Sequence, residues 1–452
     1  MAEIRRIHPT LPLFRIASGP RTAIYTPGHL APTDRTDADS MEGAWRAGRE
    51  AEGPLARSLL LRAQATLQQA RAQASAPFAP ECLAVSLGNR CNLNCNYCFT
   101  AGSSRRLANA IPEPEKWGRA LTSAADLVAC NCARKQRQFH LVLQGDGEPS
   151  IDWERLRTIV ELTRERAASA GAGWFGYLST NGILPESHAL WLARNLSRVS
   201  LSCDGPPGIQ DAQRPFPDGR GSSASVVRTA RAIRSVRDRL DVRATITPAT
   251  VSRQTEILEY LRDALGATHV RFEPVYRRAA DQSAAWPPRQ AKRFAAYFLA
   301  AQRAGQTCGV ELSLSGVRLD EVHGPYCDTL RQTLRLTSAG TVTACFAETE
   351  AGQAATMGLE IGRGDTLGQG IVLDAARVAA LRAAAGRIPD ACQECVCGFH
   401  CSRGCPEECA LGRNSSGAGP GGSFRCQLHK RVAIQWLVAL LGDGSAMHWP
   451  ES

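Results

Sequence analysis

Cys91-Asn92-Leu93-Asn94-Cys95-Asn96-Tyr97-Cys98 sets three thiols at C-x3-C-x2-C spacing, just behind the apolar run Leu83-Ala84-Val85-Ser86-Leu87. Thiolates are the usual donors to a [4Fe–4S] cube, and a cube takes four of them. Three close-set cysteines therefore hold three irons and leave the fourth open to another ligand. A zinc ribbon or a ferredoxin loop is the competing reading. Zinc sites usually pair one C-x2-C with a second, and ferredoxin loops add a nearby fourth cysteine. Neither stands within reach of Cys98.

Outward from this loop the pattern is strand, loop, helix, repeated. Phe139–Gln144, Trp174–Ser179, Arg198–Ser202, Val242–Thr247 and His269–Glu273 are the candidate strands after 83–87, with helical stretches such as Trp153–Ala170 and Ser225–Arg239 between them. Six such units imply a parallel sheet with helices outside. In that architecture functional groups collect at the C-terminal ends of the strands. Three polar turns fall there: Gly145-Asp146-Gly147-Glu148-Pro149, Ser179-Thr180-Asn181-Gly182 and Ser202-Cys203-Asp204-Gly205-Pro206. Glycines let a backbone approach a ligand closely. The same dipeptides also form ordinary turns, so each stretch alone has a purely structural reading.

The cysteine spacing, with the aromatic Tyr97 before the third thiol, resembles the signature of the radical SAM superfamily. Gly147-Glu148-Pro149 resembles that family's Gly-Gly-Glu-Pro motif, with Asp146 where the first glycine usually stands. The resemblance implies an α/β fold, a partial (β/α)6 TIM-like barrel. In it Cys91, Cys95 and Cys98 hold a [4Fe–4S] cluster whose open iron chelates S-adenosylmethionine. It further implies that Gly147, Glu148 and Pro149 contact the methionyl end. Asn181 is a candidate for the ribose or carboxylate of the cofactor. Ser202 to Gly219 looks like the corresponding segment of radical SAM peptide and protein maturases, which carries a cofactor-binding role to Ser202 and Arg214.

Beyond Leu319 cysteines dominate. Cys327 is followed by Gly340 and Cys345, with Leu334–Thr343 reading as a hairpin turned at Gly340. Cys392, Cys395, Cys401 and Cys405 follow at C-x2-C-x5-C-x3-C spacing, and Cys426 comes after a Gly-rich run. These seven are similar, position for position, to the SPASM extension, which binds two auxiliary iron–sulfur clusters. By that family's ligation scheme Cys392, Cys395, Cys401 and Cys426 hold the outer cluster and Cys327, Cys345 and Cys405 the inner one. A pair of structural zinc sites is the alternative. The inner set is one ligand short, which leaves an open iron, with Cys308 as the next thiol upstream. The surplus cysteines are expected to be mostly buried small residues.

At 452 residues the chain fits two or three domains. The divisions expected are an extension over 1–80, a core over 81–308 and a cysteine-rich unit over 309–452. In the extension, 12–25 reads as a hairpin, 27–43 as a mobile connection and 54–74 as an amphipathic helix, together a cover on the core, with a substrate-binding appendage as the alternative. No secretory signal is visible, and the apolar stretch Val432–Leu441 is too short to span a bilayer. A cytoplasmic protein without a membrane partner is expected, where seventeen cysteines point to metal rather than disulfides. The net charge of +10 comes without a basic block interleaved with aromatics, so nucleic acid is not the expected partner. The resemblance implies an oxidoreductase acting on a peptide or protein residue, served by an external one-electron reductant of flavodoxin or ferredoxin type. RNA or a small molecule as substrate, or a non-catalytic metal scaffold, are the alternatives.

Overall fold

The structure is a computed structural model describing residues 3–98, 114–275, 286–319, 321–322, 332–345, 359–364, 368, 370–385, 390–401, 423–442 and 447–448. Four strands open the chain: β1 (Glu3–Arg6), β2 (Phe14–Ser18), β3 (Arg21–Thr26) and β4 (His29–Thr33). They pair antiparallel in that order, and Met447–His448 adds to the β4 edge. The β2–β3 hairpin is the one expected. The stretch 27–43, expected as a mobile connection, is ordered instead as β4 and the first turns of α1 (Arg35–Arg46). The reason is local: Asp34 caps the helix by accepting from Asp37 N at 2.7 Å, and Ala38, Met41 and Trp45 bury one face at helical spacing. Helix α2 (Pro54–Ser75) lies where its apolar spacing predicts, with Pro54 at its first turn.

β5 (Cys82–Val85) begins the strand–helix repeats. It is followed by α3 (Pro114–Lys135), β6 (Phe139–Leu143), α4 (Trp153–Ser169), β7 (Trp174–Thr180), α5 (Glu186–Asn195) and β8 (Arg198–Ser202). Then come α6 (Pro207–Gln213), α7 (Ser223–Arg234), β9 (Asp241–Ile246), α8 (Gln254–Leu265) and β10 (His269–Pro274). The six strands lie side by side and parallel in chain order. Strand alternation sorts the two faces. Val242, Ala244 and Ile246 of β9 and Val270 and Phe272 of β10 are buried in the core shared with Ile257, Leu258 and Leu261 of α8. Each of these side chains other than Ala244 contributes roughly 1.5–3 kcal/mol by leaving water. Asp241, Arg243 and Thr245 occupy the opposite, inner face.

The sheet extends at both ends. After α9 (Ala291–Thr307), β11 (Glu311–Leu314) lies parallel to β10, and β12 (Thr333–Leu336) lies parallel to β5. β13 (Thr341–Thr343), β14 (Glu360–Gly364) and β15 (Ile371–Leu373) continue antiparallel beyond β12. The β12–β13 hairpin turns at Gly340 (φ 81°), as expected.

A second apolar core joins Phe14, Ile16, Ala23 and Tyr25 of the N-terminal sheet to Val317, Leu319, Val396 and Cys397. It also takes in Ala433, Leu437 and Leu441 of the C-terminal helix Phe424–Gly442. The N-terminal extension thus covers the cysteine-rich loop at 395–401. No described helix is long and apolar enough to cross a membrane. Of the described surplus thiols Cys132, Cys203 and Cys397 are buried, Cys82 and Cys308 half-buried and Cys130 exposed.

Candidate active site

The cysteine loop leaves the C-terminal end of β5 and is stitched to three neighbouring strand ends. Asn94 N and Asn96 N donate to Pro215 O and Gln213 O at 2.8 and 3.1 Å, and Asn92 Nδ2 donates to Ile183 O at 2.9 Å. Glu148 N donates to Arg90 O at 2.9 Å. That contact requires a glycine beside it, because a Cβ on Gly147 would lie 2.2 Å from Arg90 O. Leu93 is fully buried and anchors the loop.

One cavity results. Cys91, Cys95 and Cys98 line it together with Gly147, Glu148, Asn181, Ser202 and Arg214. Asn89, Asp146, Ser179 and Thr180 also line it, and of these Asn89 is the residue that sequence reasoning passed over. Pro149 lies outside this lining; it is buried at the start of the 3-10 turn Pro149–Ile151. The side chains are held rather than loose. Glu148 accepts from Ser150 N (3.1 Å), Thr180 Oγ1 (2.8 Å) and Asn181 N (2.7 Å). Burial pushes its carboxyl above the ordinary range, and these donors act against that. Asn181 Nδ2 reaches Asn92 Oδ1 at 2.7 Å and Cys91 Sγ at 3.7 Å.

Behind the thiols, Asp204 is fully buried and organises the wall. It accepts from Tyr97 Oη (2.6 Å), Gln213 Nε2 (2.8 Å) and Thr245 N (2.8 Å), and Arg214 Nε stands 3.0 Å from it. The Arg214 guanidinium lies over the Tyr97 ring, 5.4 Å from its centroid. Burial, then the neighbouring thiols against the pull of Arg214, pushes the Cys95 thiol up to about 11. A metal taking the thiolate there displaces a proton. A cube needs its ligands on separate corners, so this donor set of three soft thiols fits a cluster with one open iron.

Asp146 shows what the altered glycine position does. It holds φ 55°, a region Asp tolerates better than most residues, and its carboxylate is ion-paired with Arg335 of β12. The two side chains are 3% and 0% exposed, which makes this a fully desolvated pair. Arg335 also donates through Nη1 to Cys345 O at 3.2 Å. One guanidinium therefore links the turn after β6 to the loop after β13. No local sequence signal names Arg335, which lies 189 positions from Asp146.

The C-terminal thiols form a separate group. Cys395 N and Gly398 N close tight turns onto Cys392 O and Cys395 O, and a Cβ on Gly398 would meet Cys392 O at 2.6 Å. Cys401 bridges to Val317, and its Sγ lies 3.6 Å from His429 Nδ1, one turn after Cys426 on the C-terminal helix. A hydrogen bond from the Cys397 thiol lowers Cys395 to about 6. Cys392, Cys395 and Cys401 thus stand on one turn-rich loop, and Cys426 lies in the first turn of the helix whose His429 meets Cys401. His400, missed by sequence, fixes the loop: its Nε2 shares a 2.6 Å hydrogen bond with Tyr25 Oη, and its Nδ1 stands 2.7 Å from Glu321 O. Cys327 and Cys405 lie outside the described residues. The Cys308 thiol donates to Ala304 O and Gly305 O at the end of α9, before the β11 edge of the sheet, whereas Cys345 follows β13 at the other.

Residues 85–256 match the model of the radical SAM superfamily, and the chain carries a radical SAM domain there. Such a domain implies a [4Fe–4S] cluster and S-adenosylmethionine. Among solved structures the chain is similar to native anSMEcpe with bound AdoMet, at TM-score 0.61 and 17% identity over 80% of this chain and 100% of that one. It is similar to native anSMEcpe with bound AdoMet and Kp18Cys peptide at TM-score 0.60 and 18% identity, over 80% and 99%. Streptococcus suis SuiB bound to precursor peptide SuiA is matched at TM-score 0.45 and 13% identity, over 76% and 83%. At these identities the likeness to anSMEcpe is one of fold.

Proposed function

We propose that this chain is a radical SAM maturase that oxidises or crosslinks a residue of a peptide or protein. The observation that carries this reading is the single cavity in which Cys91, Cys95 and Cys98 meet Gly147, Glu148, Asn181, Ser202 and Arg214. When bound, the cluster and S-adenosylmethionine together supply a hydrogen-abstracting carbon radical. The chain's own residues bind, orient and shield. Gly147 brings the turn after β6 against the cysteine loop, and Glu148 ties that turn to the end of β7 through Thr180 and Asn181. Asn181, Ser202 and Arg214, which line the same cavity, would contact the cofactor. Cys392, Cys395, Cys401 and Cys426 would hold one auxiliary cluster, and Cys327, Cys345 and Cys405 an inner one with an open iron. Clusters held there would offer an acceptor for the electron of the substrate radical, and a flavodoxin- or ferredoxin-type protein would supply the reducing electron. The peptide class is supported by anSMEcpe, a protein of this fold described with bound AdoMet and a peptide.

The test is iron analysis and S-adenosylmethionine cleavage on anaerobically reconstituted protein. Replacing Cys91, Cys95 and Cys98 together by Ala is expected to remove about a third of the iron and all cleavage. Unchanged iron in this variant overturns the assignment of the radical site, and zinc at Cys392–Cys426 overturns the auxiliary one.

A further inference from the structure

A groove of about 780 Å³ runs along the inner face of β7 to β11, with its far wall made by Val317, Arg318 and Leu319 and by Trp436 and Leu440 of the C-terminal helix. Its size falls within the range of ordinary ligand-binding clefts. The sheet register connects it to the cysteine cavity. Ser202, which lines that cavity, is the direct cross-strand partner of Arg243; Arg243 pairs with Arg271, and Arg271 with Ser313. Registered partners project to the same face, so two arginines stand side by side one strand away from the radical site.

The charges of this groove do not balance. Each acidic residue in it is already engaged: Asp241 with Arg239 at 2.9 Å, Glu311 with His269 at 3.2 Å, and Glu321 with Arg318. Arg243 and Arg271 are exposed into the groove and, among the described residues, neither has an ion pair or hydrogen bond. Neighbouring strands are about 4.8 Å apart, and like charges directly opposite one another destabilise a sheet. The arrangement is repulsive in the empty groove and becomes favourable when an anion bridges the two guanidinium groups, whose fork geometry suits a carboxylate.

We propose that Arg243 and Arg271 are a specificity site for an Asp or Glu side chain of the peptide substrate, held beside the residue presented to the radical. This rests on the maturase reading and names the acidic character of its substrate. It is tested on anaerobically reconstituted full-length protein by fluorescence anisotropy. The probes are fluorescein-labelled octapeptides carrying two adjacent aspartates, two asparagines or two lysines, and a labelled RNA hexamer. The aspartate peptide is expected to bind about tenfold more tightly than the asparagine peptide, and to lose most of that advantage in about 0.5 M salt. The double variant Arg243→Gln/Arg271→Gln is expected to bind both alike, whereas Arg231→Gln, an exposed arginine of α7, keeps the preference. Equal binding of the two peptides by the unaltered protein overturns the proposal without any variant. So does a preference that survives the double substitution, or RNA binding that exceeds the aspartate peptide and is lost with the two arginines. S-adenosylmethionine cleavage by the unaltered enzyme without peptide reports separately on the radical chemistry of that reading, so the two can fail independently.

Discussion

The two groups of cysteines in this chain are held in place by different forces. Around Cys91–Cys98 the supports are polar and come from the sheet: backbone donors at Asn94, Asn96 and Glu148, the Asp204 network, and the Asp146–Arg335 pair. Around Cys392–Cys401 they are largely apolar and come from the chain's first thirty residues and its last helix, with Val396 and Cys397 packed among Phe14, Tyr25 and Leu437. The first site is built into strand ends, which position groups rigidly because each strand is fixed by two neighbours. The second is a loop that owes its shape to what covers it. A loop around metal ligands needs such a cover, since it makes few ladder hydrogen bonds of its own.

The largest expected effect falls on the first region. Arg335→Met leaves Asp146 charged and buried, which costs about 3–5 kcal/mol in a denaturant midpoint measurement on the apo protein. A loss below about 1 kcal/mol would show that the pair is dispensable and the contrast overdrawn. Glu148→Ala removes three hydrogen bonds to a buried carboxylate and is expected to weaken S-adenosylmethionine binding by about tenfold with iron content intact. Normal affinity by anaerobic calorimetry would confine Glu148 to shaping the turn. The smallest effect sharpens the comparison: Tyr25→Phe removes the hydrogen bond between Tyr25 Oη and His400 Nε2 and costs about 1 kcal/mol. It is expected to make auxiliary iron more easily lost to chelators while S-adenosylmethionine cleavage persists. Equal loss from both regions would mean that the two are not independently supported.

Much of the first region was legible in the chain itself. Six short apolar runs with helical stretches between them, the first four leading within two residues into Gly, Asn or Asp, give parallel strands with polar ends, because period-two burial and turn chemistry are local properties. C-x3-C-x2-C spacing likewise fixes the donor count. Pro27 to Gly43 misled the reading: its polar composition hides a cap at Asp34 and a buried stripe that becomes apolar only against the β2–β3 hairpin.

Sequence alone thus determined the barrel of strands, the three-thiol loop and the cysteine spacing of the C-terminal unit, since each is written in neighbouring residues. Only the tertiary structure decided that Arg335 answers Asp146, that Tyr25 reaches His400, and that Arg243 and Arg271 stand together with no ion pair to either among the described residues. Those contacts join residues tens to hundreds of positions apart, and their partners are chosen by strand register and packing, which no local spacing encodes.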